Sequence, residues 1–171
     1  EVLVAKQKEL KSYTNHDAME FAHRSTAVPR RIQPSRWVLT WKALPNGEWE
    51  VKARLGVKGY ADGQNHSLMV KSPTAGRTAQ RMVMSTSSVK GWTLVSADLP
   101  TAFLQGDRLH EQVTEEGVSR EAFMAPPADA WDLLPRGWKL DPREKFTDWC
   151  WRLLVAVYGL RDAPRLWIQV L

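Results

Sequence analysis

The 171-residue sequence predicts an α+β domain, on two observations. Residues 36–60, RWVLTWKALPNGEWEVKARLGVKGY, break at Pro45-Asn46-Gly47 into two alternating β-rich runs, and Asn-Gly supplies the positive φ of a hairpin turn. Residues 76–89, GRTAQRMVMSTSSV, instead set Ala79, Met82, Val83 and Thr86 on one side at helical spacing, with Gly91 as the stop. The composition, 43% hydrophobic and 25% charged, is that of a globular chain.

Taken in order, residues 2–12 carry Val2, Leu3, Lys6, Glu9 and Leu10 at helix-compatible spacing, so a short amphipathic helix is expected to end before Thr14-Asn15. The basic segment between Pro29 and Pro34 predicts an extended connector leading into a strand. In the hairpin, Lys42, Lys52 and Arg54 share one face. After the helix, WTLVSADL reads as a short buried strand closed by Asp98. Residues 107–121 and 126–142 are polar or Pro-rich and read as loops with little core of their own. The stretch WCWRLLVAVYGLRDAPRLWIQVL predicts a strand or strand-turn over 149–158 and a helix entered at Asp162, with Pro164 in its first turn.

Charge narrows the partners. The excess of 24 Lys and Arg over 19 Asp and Glu favours polyanions, though the same surplus also serves solubility. A single cysteine, Cys150, forms no internal disulfide and, between Trp149 and Trp151, reads as a buried inert thiol in a reducing, intracellular setting. No apolar run reaches membrane-spanning length, and EVLVAKQKEL lacks the core of a signal peptide. The missing initial Met and the apolar end at Ile168-Gln169-Val170-Leu171 lead us to expect a fragment.

Two groups of residues carry possible chemistry. Asp98 is either an oxygen ligand for a small hard cation or the N-cap of a helix that begins near Pro100. Lys42, Lys52 and Arg54 are either a phosphate clamp or the solvated face of an edge hairpin. His16, His23, His66 and His110 have no metal-ligand spacing, and no Gly-rich phosphate loop occurs.

The blocks RWVLTWK, KARLGVKGY, KSPTA, GWTLVSADLPTAFLQG, FMAPP and VYGLRDAPRLW occur in an order that resembles the reverse transcriptase domain of copia-type long-terminal-repeat retrotransposons, from about Ala5 to Leu171. That resemblance implies a polymerase right hand: an N-terminal helix and lead-in over 1–29, fingers over 30–90 with the antiparallel hairpin, and a partial palm over 91–171. It implies RNA-directed DNA synthesis with RNA template, DNA primer and dNTPs as partners and Mg²⁺ as cofactor. Asp98 matches the first catalytic, metal-binding aspartate, in a D-x-x-x-A-F pattern completed by Ala102 and Phe103. Arg54, with Lys42 or Lys52, matches the grip on the incoming triphosphate, and Arg36 and Lys58 would hold nucleic acid. Phe103 matches an aromatic that screens the sugar for a missing 2′-hydroxyl, its alternative being a plain core ring.

Four departures stand out. Arg161-Asp162 replaces a pair that often contains Gln, which makes helix capping the expected role of Asp162. Pro100 stands where a basic residue is frequent. Gly56 replaces a β-branched residue, which is expected to loosen the hairpin. No aromatic-x-Asp-Asp hairpin occurs, and Glu115-Glu116 lacks its apolar flanks, so this chain alone is expected not to polymerise. A decayed, non-catalytic basic nucleic-acid-binding domain is the alternative.

Overall fold

The computed structural model describes residues 1–170, so the last position of the expected palm, Leu171, lies outside the described residues. Its elements are α1 (Val2–Asn15), β1 (Met19–His23), β2 (Ile32–Ala43), β3 (Trp49–Val57), α2 (Arg77–Lys90), β4 (Ala122–Ala125), α3 (Ala128–Leu133), β5 (Trp149–Leu153) and α4 (Ala163–Ile168). The five strands form one sheet in the order β1-β5-β4-β2-β3, antiparallel except where β2 runs parallel to β4. The fold is α+β, as the patterning predicts. Strands from residues 1–29, 30–90 and 91–170 all join that single sheet.

The hairpin forms where Asn-Gly allows it. Gly47 takes φ +84°, its N–H donates to Leu44 O at 3.0 Å, and Asn46 Oδ1 accepts from Glu48 N at 3.1 Å. Register opposes Lys42 to Glu50, Thr40 to Lys52, Val38 to Arg54 and Arg36 to Gly56, so these eight positions share one face. Trp37, Ala53 and Leu55 lie on the other. β3 is an edge strand, and α1 closes it. The outward N–H of Leu55 donates to Glu9 Oε1 at 3.1 Å, and its carbonyl accepts from Tyr13 Oη–H at 2.7 Å. These side-chain bonds occupy an edge that otherwise invites another strand. They also explain why α1 runs on to Asn15, past the expected stop, since Tyr13 is fully buried in its last turn.

Most of the core is one cluster centred on Trp151, which draws on α1, both halves of the sheet and α4. Residues expected to be coreless loops contribute to it: Leu109, Ala130, Trp131 and Leu134 are buried, and the Trp131 ring lies 5.5 Å from that of Trp151. The apolar residues of 126–142 are spaced by prolines and acids, which hides their shared destination from a periodicity count. Cys150 is buried as expected, and burial pushes its thiol up.

The expected strand over 92–99 does not form. Among the described residues this segment pairs with no strand, Trp92 is 63% exposed and Val95 88%. Its β-propensity has no neighbour to supply a ladder, because the open edge of β3 is already taken by α1. Helix α2 ends on Gly91 at φ +65° as predicted, yet Met82 and Val83, which the spacing sets on one side, are exposed and line a hollow of about 460 Å³ with Trp92 and Leu94.

Candidate active site

Helix α1, the hairpin and the segment after α2 converge on a groove of about 270 Å³. Glu9, Lys42, Lys52, Asp98, Thr101 and Tyr158 are among the residues that line it. A smaller cavity of about 150 Å³ adjoins, with Arg36, Arg54 and Gly56 on the hairpin side and Tyr158 and Gly159 opposite. Tyr158 is the wall common to both.

Asp98 is exposed, and among the described residues no hydrogen bond or ion pair engages its carboxylate. It does not close a strand. Nor does it cap a helix: the next helical turn is a 3-10 turn at Ala102–Gln105, and Thr101 occupies the position before it. Thr101 adopts φ +55°, a left-handed conformation that strains a β-branched residue by roughly 1–3 kcal/mol, while its hydroxyl donates to Pro100 O at 2.7 Å. The turn carries Ala102 and Phe103, both half-buried. The Phe103 ring lies edge-on to Tyr158, with centroids 5.3 Å apart and planes at 72°.

Arg54 places its guanidinium over the Tyr158 ring, with Cζ 5.6 Å from the centroid. Its Nε is buried and has no hydrogen-bond partner among the described residues. A buried, unpaired guanidinium N–H is costly unless an acceptor arrives. Burial pushes the Tyr158 hydroxyl up; the negative charges of Glu9 and Asp98 act the same way and Arg54 opposes them, so Asp98 is within electrostatic reach of the tyrosine. Glu9 is likewise raised by burial, against its bond from Leu55 N and the charges of Arg54 and Lys52.

The two candidate lysines differ in surroundings. Lys42 is opposed by Glu50, which also pairs with Lys8 at 3.4 Å, whereas Lys52 is opposed by Thr40 and stands two residues from Arg54 on the same face. Arg36 is exposed beside Arg54 across the sheet. Lys58, half-buried beyond the end of β3, lines neither cavity.

Two expectations about departures are corrected. Asp162 makes no side-chain cap bond to α4. Its carboxylate accepts instead from Arg120 Nε at 2.8 Å, while Arg120 Nη2 donates to Asp62 at 2.6 Å and Nη1 to Gln64 at 3.0 Å, all buried. Gly56 does not loosen the hairpin; a Cβ there would meet Tyr158 O at 3.0 Å, so glycine admits the 158–160 loop to the strand. Val57 N donates to Tyr158 O at 2.9 Å across that approach. Sequence reasoning missed Glu9 and Tyr158 as site residues, and Arg120 altogether. Tyr158-Gly159 was visible as a block, but a tyrosine before glycine names no partner.

For a divalent cation, the donors in the groove amount to one free carboxylate. Among the described residues no group of three or more His, Cys, Asp and Glu side chains gathers. Asp98 therefore fits as a single oxygen ligand that acts with a bound phosphate and water, not as part of a protein-only cage.

A mixed α+β sheet that presents one uncommitted aspartate and a basic hairpin to a common groove suits phosphoryl chemistry on a nucleotide. The chain belongs to the reverse transcriptase (RNA-dependent DNA polymerase) family, whose model matches residues 23–171. It is 30% identical over 135 residues to the retrovirus-related Pol polyprotein from transposon RE2 of Arabidopsis thaliana, and 27% identical over 135 residues to that from transposon RE1 of the same plant. Each match covers 77% of this chain and 8% of the relative, so the chain spans a small part of these polyproteins. No solved structure matches it. The resemblance to a retrotransposon reverse transcriptase agrees with these findings. Helix α1 precedes the residues that the family model matches.

Proposed function

We propose that the chain carries the nucleotide-gripping part of an RNA-directed DNA polymerase of retrotransposon type, with fingers over residues 30–90 and the first part of a palm from 91 onward. The observation that carries this reading is the shared groove: Asp98, without a hydrogen-bond or ion-pair partner among the described residues, opens on the same space as Lys42 and Lys52, and Tyr158 lines both this groove and the cavity of Arg54, whose Nε has no partner among those residues. Reaction here is the attack of a primer 3′-oxygen, which gives up its proton, on the α-phosphate of a dNTP, with the bond to the β-phosphate breaking and pyrophosphate leaving. Lys52 and Arg54 offset the triphosphate charge and orient it, with Lys42 in a lesser part because Glu50 already faces it. Phe103 and Ala102 border the sugar, where a ring leaves no room for a 2′-hydroxyl. Asp98 contributes one ligand to a Mg²⁺ ion that, when bound, neutralises charge on the transferring phosphate. Arg36 and Lys58 contact the phosphates of the RNA template and DNA primer. Such substrates belong inside a cell, and among the described residues no helix is long and apolar enough to cross a membrane.

A two-ion site needs further carboxylates, and the 171 residues contain no Asp-Asp pair. This polypeptide is therefore proposed to bind nucleotide without extending a primer by itself. Equilibrium dialysis of the chain against labelled dTTP tests the grip. Arg54→Ala is expected to weaken binding by roughly tenfold or more, the effect of losing charge-assisted bonds to phosphate. Equal binding by the two proteins would remove Arg54 from the site.

A further inference from the structure

We infer that Tyr158 is a positioning residue that sets the discrimination between deoxyribo- and ribonucleotides by holding Phe103 and Arg54 in fixed relation, without itself touching the sugar. The inference rests on the proposed dNTP site and deepens it. A steric screen works only if it stays put, because a ring that swings aside by an ångström admits one more hydroxyl. Phe103 sits in a four-residue 3-10 turn, two residues after Thr101 with its positive φ, and its half-buried ring packs at the margin of the main core, which leaves its outer side to be held by a neighbour. Its aromatic partner is Tyr158, edge-on at 5.3 Å.

Tyr158 in turn belongs to a loop bound firmly to β3. Its carbonyl accepts from Val57 N, Gly56 leaves room for that carbonyl, and Gly59 and Gly159 pack backbone to backbone. β3 is also the strand that carries Arg54, whose guanidinium lies over the same tyrosine ring. One side chain thus ties the sugar screen to the triphosphate arm. Motion of either is transmitted to the other through packed rings.

Dissociation constants of dGTP, GTP and inorganic tripolyphosphate, measured on the folded 171-residue chain, test this. The wild type is expected to bind dGTP more tightly than GTP. Tyr158→Met, which keeps bulk but removes the ring, is expected to cut that preference by about fivefold and to weaken tripolyphosphate as well. Tyr158→Phe keeps both ring contacts and is expected to retain the preference. In a Phe103→Leu background, Tyr158→Met should move the dGTP-to-GTP ratio no further, a coupling that a merely structural tyrosine would not show. Should Tyr158→Met fail to fold by near-ultraviolet circular dichroism, Tyr158→Trp, which pushes a larger ring against Phe103, reads the same ratio. A folded Met or Trp variant with the wild-type preference overturns the role of Tyr158 and leaves the nucleotide site standing. A wild type that binds without preference for dGTP overturns the sugar screen and with it the role of Tyr158, and one that shows no binding overturns the nucleotide site as well.

Discussion

Arg120→Met is expected to cost roughly 3–5 kcal/mol of folding stability, the range found when one member of a buried ion pair is removed. In the native chain the Arg120 guanidinium is 1% exposed and lies between Asp62 and Asp162, whose carboxylates are 1% and 2% exposed. Methionine fills the space yet leaves two facing buried carboxylates with no counter-charge. Gln64 also loses the donor at 3.0 Å to its side-chain oxygen, which otherwise accepts from Glu121 N at 3.1 Å as well. Urea denaturation checks this: with a slope of about 1–3 kcal/mol per molar, the midpoint should fall by at least about 1 M. Adding Asp62→Asn and Asp162→Asn to Arg120→Met should recover much of the loss, because the penalty resides in the abandoned charges and not in the missing arginine. A variant that unfolds at the wild-type midpoint would show the triad to be energetically idle.

Gly159→Ala should be nearly as damaging. Gly159 holds φ +97°, and a Cβ on it would overlap the carbonyl oxygen of Val57, a backbone atom that cannot swing away. Strain at that φ and overpacking each contribute roughly 1–3 kcal/mol, so a total near 4 kcal/mol and a drop in melting temperature of about 10 °C are expected. Gly137→Ala separates the two causes. Gly137 has φ +91° but nothing within 4 Å of a built Cβ, so its substitution reports conformational strain alone. The excess loss at 159 over 137 then measures the close approach. Equal losses at the two positions would mean that the loop does not press on β3.

How much of this could be read from residues alone depended on how far apart the partners are. The hairpin was legible because its whole cause, alternation around Asn46-Gly47, is local. So was the end of α2 at Gly91. The shared face of Lys42, Lys52 and Arg54 follows from period-two geometry alone. Asp98 is singled out by its place in the sequence, but the capping alternative needs the structure to dismiss it, since Thr101 and not Asp98 precedes the next helical turn. Strands β1 and β4 escaped notice because each is five residues or fewer and gains its ladder from β5, over 25 residues away. Glu9 was seen as a helix residue, and only the docking of α1 on the open edge of β3 reveals it as a neighbour of the basic face. Arg120 lay in a polar stretch read as a loop; its two carboxylates stand 58 and 42 residues off, a separation no motif records. The apolar segment 92–99 shows the converse error, since a strand-like composition does not create a partner strand.

The central claim is that Asp98 and the basic hairpin serve one bound nucleotide, the aspartate through a divalent cation. Its most direct test is the affinity of the chain for dTTP with and without Mg²⁺, in wild type and in Asp98→Asn. The claim predicts that Mg²⁺ tightens wild-type binding by about tenfold and that Asp98→Asn abolishes this gain while metal-free binding stays within about twofold. A full Mg²⁺ gain retained by Asp98→Asn would contradict it.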